Sequence, residues 1–325
     1  MKLATLKSPS RDGELIVVSR DNRTAVRVPQ IAANLREAVE NWGAARESLQ
    51  HVYERLNQKS EPDAFTVQER DLHSPLPRAF QWADGSAFVH HVKLVRMARK
   101  APLPEKLYEV PLMYQGGSDD FLAPTEGIPQ VDFSHGTDFE GEVAVVTTDV
   151  PMDISAESAL NKIALLMLVN DVSLRGLIPE ELAAGFGFFQ SKPSSAFAPF
   201  ALTPDELGPA WHEGRVHLPL VVDYNGKQFG RAHGSEMHFH FGQLIAHAAR
   251  TRRLGAGTIV GSGTFSNEDE SRGGSCLAEK RMLEQIKTGT PITPFMKVGD
   301  TVEISMKNAA GEDLFGHISQ TVIKT

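Results

Sequence analysis

A single cysteine in 325 residues, Cys276, excludes an intrachain disulfide and fits a reducing compartment. Long apolar runs are missing as well. The longest, IALLMLV at 163–169, falls far short of the roughly 20 residues a membrane-spanning helix needs and reads as a buried helix segment. Positive charge is in deficit: 33 basic against 41 acidic residues give a formal charge of −8, which argues against binding a nucleic-acid phosphate backbone. The opening stretch MKLATLKSPSRDGE has no apolar core, so it does not read as a secretory signal. GSGTFS has a phosphate-loop flavour, but no GxGxxG or Walker pattern is present, and neither is an internal repeat or a low-complexity segment. These absences leave a cytoplasmic chain whose expected partner is a small molecule, with no nucleic acid and no membrane. The 41% hydrophobic and 23% charged fractions are those of an ordinary globular protein, long enough for one large domain and a smaller one.

Strand signals dominate, so the fold class expected is α+β and β-rich. LIVVSRDNRTAVRV reads as two strands joined at Asp21-Asn22. Ile31, Leu35, Val39, Trp42, Leu49, Val52 and Leu56 then recur at helical spacing. The polar stretch NQKSEPDAFTV and Pro75 and Pro77 place the end of a small N-terminal domain near residue 78, with a second domain over 79–325. Beyond it, FEGEVAVVTT reads as a strand, and Asp153 or Ser155 as the cap of a helix running through IALLMLV to Asn170. HLPLVVDYNGKQFGR is a hairpin turning at Asn225-Gly226, followed by a helix from Met237 to Thr251 and a final two-stranded unit.

Acids carry the chemical signal. Glu140 and Glu142 are two apart on a strand, so both project from one face. At about 4 Å and an effective dielectric near 20 their repulsion costs on the order of 4 kcal/mol, which a cation would turn into attraction. Asp84 in WADGS and Asp171 in VNDVSLR supply further oxygens, and oxygen-only ligands select Mg2+, Ca2+ or Mn2+ over zinc. The histidines of HGSEMHFHF lack the spacing of a zinc site. Lys192 stands in an apolar stretch, where an unpaired charge is costly, so it needs a carboxylate or a bound anion. Arg175 either holds Asp171 or touches substrate.

From about residue 75 onward the chain resembles the fumarylacetoacetate hydrolase (FAH) family. The E-x-E pair Glu140 and Glu142, Asp171 and Arg175 in NDVSLR, Lys192 in QSKPSSAFAPF and Thr264 in GSGTFS carry the resemblance. Asp84 seven residues before His91, and Tyr114 in a P-x-x-Y-x-G segment, are similar to its fumarylacetoacetase branch in a compact bacterial form. The resemblance implies an FAH-type mixed β-sandwich roll with a small N-terminal SH3-like or α+β domain, a homodimer, and a metal site of Asp84, Glu140, Glu142 and Asp171 holding Mg2+ or Ca2+, with Mn2+ an alternative. It also implies His91 and Lys192 as catalytic groups, a glutamate paired with His91, and substrate contacts from Tyr114, Arg175 and Thr264. Strict register puts Ala278 where that glutamate belongs, with Glu279 one residue away, and puts Ile178 and Leu182 where the family has polar substrate contacts.

The activity so implied is hydrolysis of a carbon-carbon bond in a 1,3-diketo acid, above all fumarylacetoacetate in tyrosine and other aromatic catabolism. Acylpyruvate hydrolysis, 2-oxo-4-enoate hydration and oxaloacetate decarboxylation are alternatives on the same metal site. A catalytically silent metabolite-binding protein is the alternative outside enzymes.

Overall fold

In the structure, a computed structural model describing residues 1–98 and 101–325, the strands form one 12-stranded sheet, a five-stranded sheet and two small ladders. The helices are α1 (Leu35–Glu40), α2 (Trp42–Asn57), α3 (Val89–Ala98), α4 (Ala156–Leu160), α5 (Ile178–Ala184), α6 (Phe241–Ala248) and α7 (Leu277–Thr288). Among the described residues no helix is long and apolar enough to cross a membrane.

The N-terminal segment is woven into the large sheet. Strand Lys2–Leu6 pairs with Glu14–Val18 on one side and with Ala201–Leu202 on the other, and Ala201–Leu202 joins the central strand Ile163–Asn170. From there the order runs through Gly141–Thr147, Ile259–Gly261 and Trp82–Gly85 to Met113–Gly116. The pairing of Ile259–Gly261 with Trp82–Gly85 is parallel, whereas Gly141–Thr147 pairs antiparallel with both of its neighbours, so the sheet is mixed.

Alternation along the central strands builds two cores. Val143, Val145, Leu166 and Leu168 share a buried cluster with Leu220, Val222, Ile304 and Met306 of the five-stranded sheet. Ala144, Val146, Leu165 and Met167 share the other with Leu35, Val39, Leu49, Val52 and Leu56 of α1 and α2. Helices, large sheet and small sheet therefore stack in three layers, which satisfies both faces of the central strands.

This layering corrects the expected helix through IALLMLV. Only Ala156–Leu160 is helical, capped by Ser155, whose side chain accepts from Ser158 N, and Ile163–Asn170 is a strand buried along its whole length. A strand covered on both faces has no polar side, so its sequence reads as an unbroken apolar run without period 2. The helix expected from Met237 to Thr251 is shorter: a 3₁₀ turn occupies Gly234–Glu236, and α6 covers only Phe241–Ala248. The N-terminal strand pair and the Asn225-Gly226 hairpin form as expected, both turn residues of the latter at positive φ, 51° and 71°.

A polar contact ties the early chain to the C-terminal hairpin. His317 Nδ1 lies 3.6 Å from both Glu69 Oε1 and Asp313 Oδ2. The Glu69 carboxylate beside it, aided by Asp313, raises the imidazole to about 8 against the effect of burial. Since the folded value lies above the ordinary one of about 6.5, the contact stabilises fully below that pH and is lost as pH rises through the folded value. Each side chain is partly exposed, so screening holds the contribution to on the order of 1 kcal/mol. In urea unfolding, wild type is expected to exceed His317→Gln in stability at pH 6, with the gap closing by pH 9; an equal gap at both would contradict this assignment.

Candidate active site and metal centre

The acids meet where central strands of the large sheet begin and end. Glu140 and Glu142 flank Gly141 at the start of Gly141–Thr147, and Gly141 pairs with Asn170, the last residue of Ile163–Asn170. Asp171 follows at once, its N–H donating to Glu140 O at 2.9 Å. Asp84 enters from Trp82–Gly85, directly opposite Tyr114 on one neighbour and Gly261 on the other. Two glycines admit it. A Cβ on Gly261 would lie 2.3 Å from Asp84 Oδ1. Gly263, at φ 75°, turns its N–H onto the same oxygen at 2.9 Å.

Donors are distributed unevenly over these acids. Glu140 accepts from Lys192 Nζ (2.5 Å), Arg175 (2.7 Å), Thr264 Oγ1 (2.7 Å) and Ser173 Oγ (3.1 Å). Against the effect of burial, Arg175 and Lys192 hold its carboxyl well below the usual range. Asp171 accepts from Lys192 Nζ (2.6 Å), Tyr114 Oη (2.6 Å) and Ser195 Oγ (2.9 Å). Burial, then Asp171, keep the Tyr114 phenol well above its ordinary value, so it stays a donor. Glu142 has nothing: it is 0% exposed and both carboxylate oxygens lack a hydrogen-bond partner among the described residues. Burial, then the charges of Asp84 and Asp171, push it well up, and burial and Asp171 push Asp84 up to about 8.

Carboxylate oxygens of Asp84, Glu142 and Asp171 lie within 4.8 Å of one another. Three buried hard-oxygen ligands, one of them wholly unpartnered, are the donor set of a divalent cation such as Mg2+, Ca2+ or Mn2+. The residues present therefore fit such an ion. Glu140 borders this trio, with its oxygens committed to the four donors named above.

A cavity of about 390 Å³ reaches two of these acids, Asp84 and Glu140. Asp84, Tyr114, Glu140, Arg175, Lys192 and Thr264 line it, and so does His91 from α3. His91 Nδ1 sits 2.8 Å from Glu279 Oε1. The glutamate that meets the histidine is thus Glu279 and not Ala278, a one-residue offset produced where α7 begins at Leu277. His90 instead lines a separate pocket, together with Glu279.

Arg175 does not hold Asp171. Its Nε donates to Asp138 Oδ2 at 2.9 Å and its other arm to Glu140, so its side chain faces both a strut and the cavity wall. Asp138, fully buried, escaped the sequence reading although it stands only two residues before Glu140; it lies on the separate short strand Thr137–Asp138. Arg96, one helical turn beyond Val92 on α3, also lines the cavity and also escaped, since nothing in its local sequence marks it. Ile178 and Leu182 line it as well, adding apolar wall.

Comparison with known proteins places the chain in a family. The family profile described as Fumarylacetoacetate (FAA) hydrolase C-terminal matches residues 81–323, and Fumarylacetoacetase N-terminal domain 2 matches 1–78. The 2,4-didehydro-3-deoxy-L-rhamnonate hydrolase of Sphingomonas sp. (strain SKA58) is 24% identical over 209 residues, 63% of each chain. The fumarylacetoacetase of Caenorhabditis elegans is 26% identical over 212 residues, 56% of this chain and 51% of that protein. This chain therefore spans between half and two thirds of the length of these two relatives. Among solved structures, maleylpyruvate hydrolase from Sphingobium sp. SYK-6 in complex with manganese (II) ion and pyruvate superposes with a TM-score of 0.66 at 14% identity, covering 100% of this chain and 99% of that one. With its catalytic-domain match over residues 81–323, the chain belongs to the fumarylacetoacetate hydrolase family.

Proposed function

We propose that the protein is a divalent-metal-dependent hydrolase that cleaves a carbon-carbon bond in a 1,3-diketo acid, with fumarylacetoacetate, yielding fumarate and acetoacetate, as its substrate. The observation that carries this reading is the His91–Glu279 pair, 2.8 Å apart, with His91 on the wall of the cavity that Asp84 and Glu140 also line. Asp84, Glu142 and Asp171, bordered by Glu140, would hold the cation, for which the manganese in the maleylpyruvate hydrolase structure is one precedent. That ion supplies Lewis acidity suited to an enolisable dioxo unit.

The chain's own groups supply the rest. The Glu279 carboxylate accepts from His91 Nδ1–H and so leaves Nε2 free to take a proton. His91 removes that proton from water, whose oxygen bonds to a carbonyl carbon. The carbon-carbon bond beside it then breaks, its electron pair leaving on the departing carbon as an enolate. The proton held by His91 returns to that fragment, so substrate plus water equals two acids. Lys192 and Tyr114, both within 2.6 Å of Asp171, and Thr264 on Glu140 orient what binds there. Phe88, Val92 and Leu112 keep that part of the cavity dry.

Charge bears on the substrate. Three cations line the cavity, Arg96, Arg175 and Lys192. The last two are engaged by buried carboxylates, whereas Arg96 has no acidic partner among the described residues. A dicarboxylic diketo acid offers a second carboxylate for it. The apolar Ile178 and Leu182 favour the second reading, an acylpyruvate with an uncharged tail.

Loss of dioxo absorbance should be followed with fumarylacetoacetate, an acylpyruvate and oxaloacetate in parallel. Turnover of a diketo acid is expected, abolished by chelator and restored by Mg2+ or Mn2+; no turnover of any of the three with metal present would overturn the proposal. His91→Asn is expected to lose about 10²- to 10⁴-fold in kcat while still binding Mn2+ in calorimetry, and unchanged kcat would remove His91 from the mechanism. Arg96→Met is expected to raise KM for fumarylacetoacetate about tenfold or more, the worth of a charged hydrogen bond, and to leave an uncharged-tail acylpyruvate unaffected; equal effects on both would favour the second reading.

A further inference from the structure

The candidate site has two halves, a cluster of acids on the large sheet and a histidine-glutamate pair on helices α3 and α7, and one side chain touches the supports of both. Asp138 lies on the short strand Thr137–Asp138, which pairs with Ser173–Leu174. Its Oδ2 accepts from Arg175 Nε at 2.9 Å, and the other arm of Arg175 holds Glu140 Oε1. On the opposite side Oδ1 accepts from Leu277 N at 2.8 Å and Oδ2 from Ala278 N at 2.9 Å, the first two N–H groups of α7. The next N–H, that of Glu279, goes to Cys276 Sγ at 3.4 Å, so the whole opening turn of α7 is pinned. Glu279 sits in that turn, 2.8 Å from His91.

We infer that Asp138 is a positioning residue that couples the acid cluster to the His91–Glu279 pair, fixing through α7 the distance at which Glu279 holds His91 and through Arg175 the orientation of Glu140. Only a carboxylate suits the place. It meets three donors, one of them a guanidinium, and has no donor of its own to turn against them. An asparagine there would aim its NH2 at other donors, releasing either the opening turn of α7 or Arg175. The signal in sequence is the D-x-E-x-E spacing of residues 138, 140 and 142, whose first member serves the scaffold while the other two face the cluster.

This inference rests on the proposed function for its catalytic readout, so the test carries a second readout that needs no substrate. Asp138→Asn is expected to lower kcat about 10- to 100-fold, as removal of outer-shell partners does, with KM changed less than threefold. In a double-mutant cycle, Glu279→Gln should cost far less in the Asp138→Asn background than in wild type, because the pair is already misaligned. The His91 Nδ1–H resonance in 15N-edited NMR of the metal-free protein should shift in Asp138→Asn and vanish in Glu279→Gln. Multiplying losses in the cycle, with an unmoved resonance, would overturn the coupling; a wild type inactive on every diketo acid would sink the functional reading and leave the resonance to decide this one. Should Asp138→Asn fail to fold, Ala278→Pro deletes one of the same hydrogen bonds within the first helical turn, where proline is best tolerated. It is expected to lower kcat with Mn2+ affinity unchanged, and wild-type kcat in that variant would equally overturn the coupling.

Discussion

Repulsion among buried carboxylates is the constraint on which the rest of this structure turns. Glu142 is sealed from solvent with both oxygens unpartnered, and Asp84 and Asp171 face it closely enough to push its proton affinity up. Left alone, such a group costs several kcal/mol in desolvation. The fold meets this cost unequally. Glu140 and Asp171 receive four and three donors, while Glu142 receives none, which is the pattern expected where a cation and not a protein donor completes the site. Two cationic side chains, Lys192 and Arg175, offset part of the charge and leave a remainder suited to a divalent ion.

Everything that positions these acids follows from strand ends. Three interior strands of the large sheet bring Asp84, the Glu140–Glu142 pair and Asp171 together, and backbone pairing sets the spacing of their main chains before any side chain is chosen. Sites built on paired strands are held more rigidly than sites on loops. The histidine half is different. It stands on α3 and α7, packed over the sheet, and is tied to the acids through side-chain hydrogen bonds instead of a ladder.

Much of this was legible in the sequence, for physical reasons that also mark where reading stops. Alternation identified Glu140 and Glu142 as neighbours on one face, and the family resemblance brought Asp84, His91 and Asp171 to the same place. The strand Ile163–Asn170 was misread because a strand buried on both faces carries no periodic signal. Asp138 stands two residues before Glu140 but acts through helix α7, 139 residues away in the chain, and no local pattern announces such a contact. Arg96 shows the same limit: what sets it apart is that its cavity neighbours Arg175 and Lys192 are already held by buried carboxylates. Glu279 fell one residue from strict register because a helix start, whose exact position depends on capping by Cys276, decides which side chain faces His91.

Asp84, Glu142 and Asp171 are proposed to hold a divalent cation beside the His91–Glu279 pair. Anomalous diffraction from crystals soaked in Mn2+ tests this most directly. A single strong peak is expected among the three carboxylates, within about 2.0–2.6 Å of an oxygen from each. A peak only at the Glu69–Asp313–His317 cluster, or none near Glu142, would rule out this cation site.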